Sequence, residues 1–170
     1  MRSERVVSER VLEAAVVFAR LEELRELLRL TDYLSGFRRD AAAPPLERAM
    51  HDGVDVVVLY RPTGSAEMEL LAKNGMRRWP PRLPEQPIFY PVTNEQYARE
   101  IAERWNLAEE PVAYVTRFRV RVDAVAHYAV QTVGARHHAE LWVPAEELDR
   151  LNDGIVGPIE VVARPDRGQR

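Results

Sequence analysis

Residues 54–60 read Val-Asp-Val-Val-Val-Leu-Tyr, and no other segment limits the fold as much. A nearly continuous apolar run with β-branched side chains makes a strand that is buried on both faces. A second strand signal lies at 112–122. There Val112, Tyr114, Thr116, Phe118, Val120 and Val122 share one face, and Arg117, Arg119 and Arg121 share the other. Residues 88–92, 128–133, 139–143 and 155–163 read as further strands, the last marked by Gly157-Pro158 as a bulge or edge. Helices are predicted between only some of them. One spans Ser65–Asn74, capped by Ser65 and stopped by Gly75. One runs from the capping box Thr93-Asn94-Glu95-Gln96 to about Trp105, and one covers Pro144–Asn152. Pro80, Pro81, Pro84 and Pro87 make the stretch from Trp79 to Pro87 a stiff loop. Strands that outnumber their helical connections place the chain in the α+β class, with a mixed or antiparallel β core and flanking helices.

Upstream, Ser8–Leu30 has helical periodicity, with Val17, Leu21, Leu24 and Leu28 on one stripe. Such a stripe packs on this domain or on a second copy of the chain, so a homodimer through this helix is one expected partnership. Asp40–Pro45 reads as a linker, and Pro44-Pro45 as the start of a short helix through Met50 that Gly53 closes. The division expected is an N-terminal helical extension at 1–53, an α+β domain at 54–163 and a flexible tail at 164–170.

Several classes of chemistry drop out. The chain has no cysteine, which removes disulfides, thiolate nucleophiles and thiolate-held zinc. Its formal net charge of −3 gives no global attraction to nucleic acid. The charged start and the absence of a long apolar run point to a cytoplasmic protein with no membrane partner. Arginine-rich, lysine-poor composition suggests a bacterial source. No phosphate-binding glycine loop, dinucleotide GxGxxG or nucleophile elbow is present.

His137-His138-Ala139-Glu140 invites a metal reading. On a strand, His138 and Glu140 share a face while His137 points away, and two ligands do not close a site, so no metal is expected. A solvated turn leading into a strand is the plainer account. Arg117, Arg119 and Arg121 read as a solvent-facing strand side, and Arg77, Arg78 and Arg82 as a basic group that would line a nucleotide or nucleic-acid site.

Three ordered segments carry a resemblance: LYRPTG at Leu59–Gly64, FYPVTNEQYAREIAERW at Phe89–Trp105 and AELWVP at Ala139–Pro144. Together they resemble the ADP-ribosyltransferase superfamily. With the QTVG segment at 131–134 they also resemble small bacterial proteins labelled "ADP-ribosylation/crystallin J", over Leu59–Val162. That resemblance implies an ADP-ribosyltransferase-like fold and NAD as substrate, with a protein or nucleic acid as acceptor. Cleaving the nicotinamide–ribose bond passes through an oxocarbenium-like state. By the resemblance, Glu140 orients the ribose and stabilises that charge, Arg61 grips NAD through its planar fork, and Tyr90 offers a ring face to nicotinamide. Tyr60 and Gln131 complete the expected cofactor-binding set. The alternative is a non-catalytic nucleotide, nucleic-acid or protein-interaction module on the same fold.

Overall fold

The computed structural model describes residues 45–133 and 135–169; the Ser8–Leu30 helix, and with it the dimer it would mediate, lies outside them. The described residues form an α+β fold. Strand β1 (Arg48–His51) pairs antiparallel with β2 (Val54–Thr63). This overturns the helix expected up to Met50. The Asp52-Gly53 pair takes positive φ at both positions, 50° and 77°, the geometry of a tight two-residue hairpin turn. Arg48–His51, expected in the helical extension, is therefore part of the sheet.

Strand β2 pairs along its length with β4 (Tyr114–Arg121), which in turn pairs with β8 (Glu160–Ala163), in the order β1-β2-β4-β8. Helix α1 (Ser65–Lys73) follows β2, and the proline loop leads to the short β3 (Ile88–Phe89). Helix α2 (Glu95–Ile101) continues into a π-helical turn, Ala102–Asn106, and a last turn at Leu107–Glu109. Beyond β4 come a helical turn α3 (Val122–Val125), β5 (Val130–Thr132), β6 (Ala139–Leu141) and β7 (Val143–Pro144). A 3-10 turn at Ala145–Glu147 and helix α4 (Leu148–Asp153) precede β8. The strand expected from Ile155 shortens to β8 because Gly157 turns left-handed (φ 76°) ahead of Pro158.

Consecutive residues of β2 sort into two cores, as a strand covered on both faces must. Val57 and Leu59 join Trp79, Phe89, Phe118, Leu141, Leu151 and Ile159. Val58 and Tyr60 join Val92, Ala98, Ile101, Leu107 and Val115 beneath α2. Burying Ile101 or Leu107 contributes about 1.5–3 kcal/mol each. Trp79 anchors the first core, its ring edge-on to Phe118 at 5.2 Å.

Two caps differ from expectation. Ser65 caps nothing with its hydroxyl; Gly64 is the N-cap of α1, and the Glu110 carboxylate accepts from the Ser65 N–H at 2.7 Å. A Cβ at Gly64 would sit 2.1 Å from Glu110 Oε1, so a side chain there would push that carboxylate aside. In α2 the cap is Asn94, whose Oδ1 accepts from Tyr97 N at 2.9 Å. Within the segment after β8, Pro165 and Arg167 are hydrogen-bonded to the body of the fold. Ala113 N donates to the Pro165 carbonyl at 3.1 Å, and the Arg167 guanidinium reaches the carbonyls of Leu107 and Ala108. Among the described residues no helix is long and apolar enough to cross a membrane.

Arg117 and Arg119 converge on Glu160, at 2.6 and 3.1 Å. These two guanidiniums, their hydrogen bonds first, hold the Glu160 carboxyl below its ordinary value of 4.5. A depressed carboxylate pKa stabilises the fold above the unfolded value and ceases to as pH falls through the folded one. Glu160→Gln should lower Tm at neutral pH, and the gap to wild type should narrow as pH drops below 4.5. Thermal melts across that range check this; a gap that stays constant down to the acid limit would refute it.

Candidate functional site

The pairing of β2 and β6 through one residue builds the site. Val92 bridges Tyr60 on one side and Glu140 on the other, and Glu140 is the register partner of Gln131 in β5. Directly paired residues on antiparallel strands present their side chains to the same face. Tyr60, Val92, Glu140 and Gln131 therefore line one face in a row. Tyr90 and Trp142, each two residues along its own segment, join them; their rings meet edge-to-face with centroids 6.1 Å apart. Glu140 is fully buried, and its Oε1 accepts from the Trp142 indole N–H at 2.7 Å. Trp142 is partly exposed and forms the outer wall of this group. Burial lifts the Tyr60 phenol above its ordinary value of 10, the Glu47 and Glu95 charges adding to the effect and Arg117 opposing it.

Arg61 belongs to the other face. It follows Tyr60 in the strand, so its side chain points away from that row. Its guanidinium lies over Phe89 at 4.6 Å, and its Nε and Nη2 donate to the two oxygens of Glu67 at 2.9 and 3.1 Å. The side chains of this pair are 1% and 7% exposed. Arg61 also donates to the Tyr90 backbone carbonyl at 3.4 Å. Four of the expected site residues thus share a face and Arg61 backs onto it. The sequence offered no signal for Glu67 as the partner, beyond its place in the first turn of α1. The arginines expected to form a basic lining diverge: Arg78 pairs with Asp149 and Asp153, Arg82 is buried beside Glu67, and Arg77 is exposed.

A second group lies at the edge of the same sheet. His137 and His138 occupy the turn before β6, not the strand itself, so the alternation that would separate their rings does not apply. Both rings reach Glu100 on α2, His137 Nε2 to Oε1 and His138 Nε2 to Oε2, each at 2.9 Å. Glu140 takes no part. Partial burial would raise the Glu100 carboxyl, but hydrogen bonds from His138, His137 and Gln96 hold it at about 2. Glu100 is the residue that sequence reasoning missed. It is 37 positions from His137, and no local pattern joins a helix side chain to a distant turn.

No family model, curated protein or solved structure matches the chain. Removing one partner of a buried ion pair leaves the other charge uncompensated, at a cost of about 3–5 kcal/mol. Glu67→Gln should destabilise the fold by about that much, because it removes the charge that the buried Arg61 guanidinium pairs with. Urea denaturation measures the loss, and a change under about 1 kcal/mol would show that the pair is not structural.

Proposed function

We propose that the chain is an NAD-binding protein of ADP-ribosyltransferase-like fold that cleaves the nicotinamide–ribose bond, transferring ADP-ribose to an acceptor or to water. The observation that supports this most is the shared face of Tyr60, Tyr90, Gln131 and Glu140, drawn from four separate sequence segments. A carboxylate set among aromatic rings at low dielectric is suited to stabilising an oxocarbenium-like ribose. Gln131 supplies amide donors and acceptors suited to hydroxyls, and Tyr90 and Trp142 supply ring faces for a nicotinamide. In this scheme Arg61 is a positioning residue. Its guanidinium is committed to Glu67, and it acts by fixing the Tyr90 carbonyl.

One observation favours a second reading. Glu140 has no solvent exposure and Arg61 is charge-neutralised, so substrate entry requires Trp142 to swing outward. A chain in which that movement does not occur is a non-catalytic interaction module on the same fold.

Incubation of the purified protein with NAD, with free nicotinamide followed by mass spectrometry, separates the two. The enzyme releases nicotinamide, and Glu140→Gln cuts the rate by about 10²-fold or more while the variant melts like wild type. No release and no thermal shift with NAD would leave the interaction module.

A further inference from the structure

We propose that Glu100, His137 and His138 form a binding site for a divalent cation of the zinc class. One carboxylate and two imidazoles are a donor set that Zn²⁺ takes in sites with three protein ligands and an open fourth position. Each residue offers one ligand atom, and the three atoms lie within 4.8 Å of one another. Zinc holds such donors at about 2.0–2.2 Å, which puts them about 3.4 Å apart in a tetrahedron, so binding draws no pair together by more than about 1.4 Å. The side chains are 24%, 36% and 22% exposed for Glu100, His137 and His138, which leaves an ion a route in from solvent.

The surroundings hold the ligands in place, as an outer shell does around a metal. Gln96 donates to Glu100 Oε1 at 3.1 Å. Tyr97 stacks on the His138 ring with centroids 4.3 Å apart and planes 17° from parallel. The Asn94 amide, while its oxygen caps α2, donates to the His137 carbonyl at 2.6 Å and fixes the turn. The first two turns of α2 thus carry both the carboxylate and the groups that set the two imidazoles.

Coordination through Nε2 needs a lone pair there, so a neutral ring moves its proton to Nδ1 and a charged ring gives its second proton to solvent. For His138 this gives up the Ala135 N–H contact to Nδ1, a long one at 3.3 Å. The ion replaces the hydrogen bonds that now join Glu100 to both rings, and clamps α2 to the turn ahead of β6. The proposal stands independently of NAD chemistry, since Glu140 is not a ligand.

The background is favourable for a test. The chain has no cysteine and four histidines, and the other two, His51 and His127, stand outside this group. The full chain, stripped with chelator, is titrated with Zn²⁺ by calorimetry and with Co²⁺ by visible absorption. One equivalent of Zn²⁺ is expected, with visible Co²⁺ bands of a nitrogen- and oxygen-ligated centre and a rise in Tm that Mg²⁺ does not reproduce. Glu100→Gln and His138→Ala should each weaken binding by at least about ten-fold. His137→Gln serves as the third variant should either of these fail to fold in a metal-free melt. The double variant His51→Ala/His127→Ala should bind as wild type does. Absence of saturable Zn²⁺ binding, equal affinity in a folded Glu100 or histidine variant, or loss of binding in the double variant would each overturn the site.

Discussion

The β2–β4 ladder is the constraint on which the remaining structure depends. Eight register pairs, from Val56↔Arg121 to Thr63↔Tyr114, fix these two strands together. A strand buried on both faces permits no slip, because a shift of one residue would send Leu59 into the place of Tyr60 and invert both cores. The free edge of β2 is shared between β1 at its start and Val92 near its end. That division brings β6, and with it Glu140, to the sheet.

Charge burial is managed by pairing. Arg61, Glu67 and Arg82 meet against Phe89 and Trp79 in the first core, where an isolated guanidinium would be prohibitive. Such a group contributes little net stability and much specificity of position: it ties the start of α1 to the segment that carries Tyr90. On the opposite face Glu140 is held by Trp142, and at the rim Glu100 is held by two imidazoles. Three carboxylates at three depths thus take three different partners, and partner and depth together set what each can do.

The two proposed sites meet at one short stretch. Residues 137–140 supply both imidazoles and the buried Glu140, and Thr93 N–H holds the carbonyl of Ala139 between them at 2.9 Å. An ion on the histidines would stiffen the turn that orients β6. Stiffening a strand that carries a buried carboxylate is one way a fold keeps such a group in a fixed geometry.

The sequence by itself determined the α+β class and the strands from β2 onward, but not β1. The apolar run of β2, the alternation of β4, the proline loop and the capped start of α2 are local patterns, and each resolves into the element expected of it. Asp52-Gly53 was equally legible as a hairpin turn, yet the preceding prolines drew that segment toward a helix. Only the tertiary structure decided which charges meet. Arg61 and Glu67 find one another because β2 ends where α1 begins, and Glu100 finds two histidines because α2 packs beside the turn before β6. It also decided that Arg61 turns its back on Glu140, a matter of strand parity joined to long-range pairing. Periodicity specifies which face a residue takes; it carries no information on which distant segment will cover that face.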